Sequence, residues 1–286
     1  MKGGFDSKVQ EFEDEEAILS TASDKPDIQW MLRHACAGNA LAMHDLSNAY
    51  ARGGILAVDG EKSLMWLKRA ADAGNSCSCR LLSEIYERGE LTLPDADCPE
   101  GAFKVERNPV LARRYKRKAS VHERRGMAPR GRVLFNPGAG WCTFSPDGRR
   151  TVRVSCCHTG DLPVKMLDAF VGRIRDGRPV CITMDEEGVV DGFAESGTPN
   201  LAYFTRDSLS LDGAKGCRVR YDPCAMARQL VVDIEADYYG WVTFNWCEDF
   251  ARRERILRRK VALLKRCLAR HYSLFALHSA REVNGE

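Results

Sequence analysis

The chain has 286 residues, 44% hydrophobic and 29% charged, with a net charge of +3. That length and apolar content suffice for two domains with real cores. The small net charge does not by itself imply a nucleic-acid partner, and no apolar run approaches the roughly 20 residues of a membrane helix.

Residues 1–27 form an acidic leader, with Glu11, Glu13, Asp14, Glu15 and Glu16 close together. Only Phe5, Val9, Phe12, Ile18 and Leu19 could pack, so a partly disordered segment with one short helix is expected. The start, MKGGFDSKVQEFEDEE, holds no apolar segment of the kind a secretory signal needs. A cytoplasmic, reducing setting is therefore the expectation. The twelve cysteines include the pairs Cys77/Cys79 and Cys156/Cys157 but no C-x-x-C, so they read as small buried hydrophobes and not as disulfides or a metal site.

From Ile28 to about Ser120 the sequence repeats with a period of 36 residues. Trp30 returns as Trp66, Arg33 as Arg69, Ala35 as Ala71, Ala37 as Ala73, Gly38 as Gly74 and Asn39 as Asn75. Leu46 returns as Leu82, Tyr50 as Tyr86, Arg52 as Arg88 and Gly53 as Gly89, which makes ten identities at one offset. Such a period marks stacked helical pairs that each bury an apolar face on the next. Ile28, Met31, Leu32 and Ala35 lie at helical spacing, and Gly38-Asn39 stops that helix. A second helix from Ala40 ends at Arg52-Gly53-Gly54, and a third starts near Glu61. The segment LTLPDADCPEGAF then enlarges one inter-helix loop by 13 residues. Asn108, Ala112, Tyr115 and Ala119 resume the spacing of Asp59, Ser63, Trp66 and Ala70 at an offset of 49.

The stretches A-x-x-G-N, A-M-x-x-L-x-x-x-Y-x-x-G and D-G-E-K-S-L-M-W-L-K-R-A-A-D-A-G carry a resemblance to the Sel-1-like repeats, a tetratricopeptide-like solenoid of helical pairs. It covers residues 28–120. Cys79 and Ser78 depart mildly from the pattern, standing where Met43 and Ala42 stand in the preceding unit. The resemblance implies a protein–protein interaction scaffold with a concave face and no active site. Bacterial proteins with such repeats often act as adaptors, and some are immunity proteins that neutralise a toxin. His34 and His44 have no second metal-type residue beside them at helical spacing, so neither reads as a ligand.

Residues 104–132 carry eleven Lys/Arg against two Glu. Arg113, Arg114, Lys116, Arg117 and Lys118 share a helix whose apolar side is Leu111, Ala112, Tyr115 and Ala119. This face either caps the array as a solvated surface or docks an acidic partner or phosphate. Nucleic acid is disfavoured, because no aromatic stacking set accompanies the charge. Tyr50, Tyr86, Arg113, Arg114, Lys116 and Arg117 are the candidate partner-binding residues. Residues 121–137 read as a basic linker.

Residues 138–286 read as an α+β domain with a mostly antiparallel sheet. Trp141–Phe144 and Thr151–Val154 flank the turn Ser145-Pro146-Asp147-Gly148. Leu162 to Ile174 form an amphipathic helix, and Pro179 to Thr183 a strand. Strands follow at 189–190, 202–204 and 217–221, then a helix through Met226, Leu230 and Ile234. Trp241 to Trp246 read as a last strand, and 248–272 as a long helix with Leu257, Val261, Leu264 and Leu268 on one side.

No catalytic, cofactor or metal residues are assigned, and no cofactor is expected. Cys157 and His158 are adjacent on a strand and would point to opposite faces. Asp185, Glu186 and Glu187 read as turn acids, and Asp233, Glu235 and Asp237 would converge only on a strand. Two functions follow. The first is a non-enzymatic binding protein, an adaptor, scaffold or immunity protein whose partner is another protein with an acidic surface, without membrane attachment. The second is an enzyme or effector with its centre in 138–246.

Overall fold

A computed structural model describes residues 26–53, 56–91, 103–126, 134–138, 141–145, 152–155, 161–186, 189–195, 200–206, 218–220, 222–243 and 249–284. Residues 1–25 of the acidic leader and the Cys157–His158 pair lie outside them; the leader's last two residues, Pro26 and Asp27, open the first helix. The chain divides into two compact units, Met1–Met127 and Ala128–Glu286. Its class is α+β, and every strand pairing among the described residues is antiparallel.

The first unit holds helices α1 (Pro26–Cys36), α2 (Ala40–Arg52), α3 (Gly60–Asp72), α4 (Ser76–Arg88) and α5 (Pro109–Gly126). Each helix packs on the next in sequence, except that β1 and β2 intervene before α5 meets α4. The residue types at the helix ends explain the boundaries. Asn39 accepts from the amides of Leu41 and Ala42 at the start of α2, and Asn75 accepts from Ser78 at the start of α4. Asp59 caps α3 through Lys62 N, and Asn108 caps α5 through Val110 N and Leu111 N. Gly38 and Gly74, with φ of 93° and 106°, turn the chain between helices where a Cβ would be strained.

The interior explains the spacing. Trp30, Leu32, Leu46, Trp66, Leu67 and Leu82 are all within 2% of full burial. Removing a side chain of this size from water contributes about 1.5–3 kcal/mol. The 13-residue enlargement is closed at its base by strands β1 (Glu90–Leu91) and β2 (Phe103–Lys104), paired Glu90 to Lys104 and Leu91 to Phe103. This ladder lets the loop grow without moving the helices it joins. Phe103 lies so close over Gly60 that a Cβ there would come within 2.3 Å of its ring. Helix α5 runs on to Gly126, so the first part of the segment expected as linker is helical. Arg124 and Arg125 continue the helix without a breaker before Gly126.

The second unit has two sheets. One has the order β3-β4-β5, formed by Leu134–Gly138, Trp141–Ser145 and Val152–Ser155. The other has the order β6-β7-β8-β9, formed by Cys181–Glu186, Val189–Glu195, Asn200–Arg206 and Arg218–Arg220. The helices are α6 (Leu162–Asp176), α7 (Pro223–Ala236), α8 (Tyr238–Val242) and α9 (Phe250–Asn284). Helix α9 packs on α6 and α7, and Met166, Leu167, Phe170, Leu230 and Ile234 of those helices are buried, as are Leu257, Val261 and Leu264 of α9.

Several elements differ from the sequence reading. Strand β3 occupies 134–137 of the segment expected as linker, and β6 runs on through Asp185 and Glu186, expected in a turn. The strand expected at Trp241 to Trp246 begins instead as helix α8, and 244–248 lie outside the described residues. Asp237 accepts from Gly240 N and nucleates the turn, and Tyr239, Trp241 and Val242 are all fully buried. Helix α9 continues beyond residue 272 because no Gly or Pro interrupts 250–284. None of the described helices is long and apolar enough to cross a membrane.

Candidate functional site

Helix α5 presents the most distinctive charged surface of the first unit. Its inner side is fixed by Ala112 and Ala119, which are buried beside Cys79, Leu82 and Tyr86. Tyr115 stacks on Tyr86 with ring centroids 5.9 Å apart and planes 4° from parallel. Asn108 N donates to Tyr86 O at 2.9 Å and anchors the helix start. With 112, 115 and 119 inward, the 3.6-residue period turns Arg113, Arg114, Lys116 and Arg117 outward, and all four are exposed.

Neighbouring charges on this helix are paired. Lys118 meets Asp72 at 2.6 Å, and Glu123 meets Arg80 at 2.8 Å. Among the described residues no carboxylate pairs with Arg113, Arg114, Lys116 or Arg117. Three of their mutual spacings are i,i+3 or i,i+4, where like charges cost about 0.2–0.5 kcal/mol each. The helix carries this repulsion without an acid in its first turn.

Tyr50 and Tyr86, grouped with these cations on sequence grounds, are 5% and 7% exposed. Both are core residues whose carbonyls receive the next cap: Asp59 N donates to Tyr50 O and Asn108 N to Tyr86 O, each at 2.9 Å. Burial, with the charge of Asp59, pushes the Tyr50 hydroxyl above its usual range. The cations and the tyrosines therefore occupy different layers, exposed surface and interior.

His44 lies between helices, its Nδ1 2.9 Å from the hydroxyl of the buried Ser78. Burial holds its pKa below the ordinary histidine value. His34 packs against Trp30 with centroids 4.5 Å apart. Both are interior or packing residues.

In the second unit the three acids at 233, 235 and 237 separate. Asp233 is buried and accepts from Gln229 Nε2 at 2.7 Å, Glu235 pairs with Lys265 at 2.9 Å, and Asp237 caps α8. Asp185 and Glu186 belong to strand β6. Among the described residues no three His, Cys, Asp or Glu side chains are grouped to hold a metal ion.

A polar clamp not signalled by any motif joins α6 to the four-stranded sheet. Glu195 accepts from Arg173 Nε at 2.9 Å and from Val180 N at 3.1 Å, and its own amide donates to Val180 O at 2.8 Å. Beyond it a groove of about 440 Å³ runs between α6 and β6, lined by Lys165, Asp168, Gly172, Arg178, Cys181 and Thr183 among others. The only hint of it in the sequence is the dense charge of RIRDGR around the helix stop at Gly177.

Compared with family models, with curated proteins and with solved structures, the chain has no match.

Proposed function

We propose that the chain is a non-enzymatic protein–protein interaction protein, an adaptor or scaffold whose first unit is a Sel-1-like helical repeat array and whose partner carries an acidic surface. The observation that carries this reading is the exposed set Arg113, Arg114, Lys116 and Arg117, which has no carboxylate partner among the described residues. An acidic partner relieves their mutual repulsion and gains charge-assisted hydrogen bonds. The recurrence of caps and turns at offsets of 36 and 49 supports the array. A toxin-neutralising immunity protein is one adaptor of the kind that the resemblance implies.

The test uses the full chain as bait and mass spectrometry to identify a stoichiometric partner. The variant Arg113→Glu/Arg114→Glu/Lys116→Glu/Arg117→Glu is then measured against that partner. A loss of about tenfold or more in affinity, with a flatter salt dependence, is expected. Unchanged binding by a variant with the wild-type circular dichroism spectrum overturns the reading.

A further inference from the structure

The second unit carries a separate feature that this function does not use. Strand β6 is the last strand of its sheet among the described residues, with β7 on one side only. Its register with β7 is unbroken from Cys181↔Ala194 to Glu186↔Val189, so no bulge twists the edge away. Because Glu195 N bonds Val180 O, the backbone groups of Val180, Ile182 and Met184 face β7. Those of Cys181, Thr183 and Asp185 then face outward, by the alternation of an antiparallel ladder. Thr183 O confirms the direction: it accepts from Lys165 Nζ of α6 at 3.3 Å, across the groove. The opposite edge, β9, is only three residues long with Arg218 and Arg220 at its ends, a common way of blunting an edge. Strand β6 has six residues and no proline, and Cys181 and Thr183 are exposed.

We infer that the open edge of β6 and the groove between it and α6 receive an extended acidic segment of a partner protein, which adds as a further strand. The absence of a side chain at Gly172 makes room for the Arg178 guanidinium on the groove wall, 3.0 Å from the position a Cβ would take. Charge selects the occupant. Lys165 and Arg178 line the groove against one carboxylate, Asp168. Asp168 is held by Lys260, and Asp176 by Arg175 and Arg178. Lys165 spends its contact on a neutral carbonyl, and Arg178 is largely exposed with a side-chain accessibility of 66%. Pairing of β6 with its counterpart in a second copy would bring the same cationic groove against itself. A segment with Glu or Asp at alternate positions instead supplies main-chain hydrogen bonds to the edge and carboxylates to Lys165 and Arg178.

The experiment uses the full chain and a fluorescein-labelled eight-residue peptide alternating valine and glutamate, followed by fluorescence anisotropy. Thr183→Pro is the decisive variant. It removes an amide that points away from β7, so the internal ladder is kept while strand addition is blocked. It should weaken the peptide by about tenfold or more, and Lys165→Glu by about two- to fivefold. N-methylating alternate peptide amides should abolish binding in one phase and spare it in the other. The quadruple Glu variant of α5 should bind the peptide as the wild type does, which separates this site from the one proposed above. Three results overturn the inference: no binding of the peptide, binding indifferent to N-methylation in both phases, or a wild-type dimer that Thr183→Pro converts to a monomer. Circular dichroism melting of Thr183→Pro and Lys165→Glu confirms that each is folded before either is scored.

Discussion

The hydroxyl of Ser83 donates to the carbonyl of Ala112 at 2.9 Å, tying α4 to α5 where Ser47 ties α2 to α3 through the carbonyl of Ser63 at 2.8 Å. Ser47 and Ser83 are an eleventh identity at the 36-residue offset, and Ser63 and Ala112 are related by the offset of 49. What recurs at the acceptor is a backbone position, so its side chain is free to change. Both hydroxyls are buried, and each bond crosses between helices. Ser83→Ala should therefore cost about 1 kcal/mol, and Ser47→Ala a similar amount. Urea denaturation of each variant, read at the midpoint with an unchanged slope, checks this. A cost near zero at both positions would remove the bond from any account of the packing.

Trp66 is fully buried, and its indole Nε1 has no hydrogen-bond partner among the described residues. The ring fills space, then, while its N–H is a liability in a dry interior. Trp66→Ala should destabilise by about 3–5 kcal/mol through lost burial and the cavity left behind. Trp66→Phe loses less volume and also removes the unpaired donor, so a cost of about 1–2 kcal/mol is expected. Thermal melts of the two variants distinguish a packing role from a polar one, since a polar role would make the two costs alike.

The helices of the first unit were legible because their ends need particular residues. Asn39, Asp59, Asn75 and Asn108 cap, and Gly38 and Gly74 take positive φ, so the period survives wherever those demands repeat. In the second unit the helix Pro223–Ala236 was legible despite Val231-Val232, because Asp222 caps it, Pro223 opens it and Val232 turns outward at 57% exposure. Helix α8 was not. Tyr239, Gly240, Trp241 and Val242 are all buried, and a segment buried on every side has no period to read. The outward face of α5 followed from helical spacing, and the same spacing sets Tyr50 on the apolar face of its helix with Ala42 and Leu46, against its grouping with the partner-binding cations. The β6 groove was out of reach, because it depends on which strand ends the sheet, and register and order are tertiary facts.

Glu195 is an acceptor shared by Arg173 and the amide of Val180, with its carboxylate 8% exposed and Arg173 24% exposed. Removing it strands a buried amide and weakens the hold on a half-buried guanidinium. Glu195→Ala should cost about 2–3 kcal/mol, less than a fully buried pair because Arg173 reaches some solvent. Glu195→Gln keeps an acceptor for Val180 N and should cost about half as much. Denaturant titration of both variants checks the order. Equal costs would show that the charge, and not the acceptor, secures the start of β6.

His44 sets a pH dependence whose sign follows from its burial. Its folded pKa is depressed below the ordinary value of 6.5, so the unfolded chain takes up a proton more readily than the folded one. Stability from this residue is complete above pH 6.5 and declines as pH falls below that value towards the folded pKa. The hydroxyl of Ser78, 2.9 Å away, can serve either tautomer of the neutral ring but supplies no charge to hold a cation. His44→Gln keeps a polar group in this place and cannot titrate. Its unfolding free energy should therefore fall less than that of the wild type between pH 7 and pH 5, measured by denaturant titration at matched ionic strength. The difference between the two curves removes the contributions of the other histidines. A steeper fall in the variant would mean that the folded state favours protonated His44, opposite to the consequence of burying it.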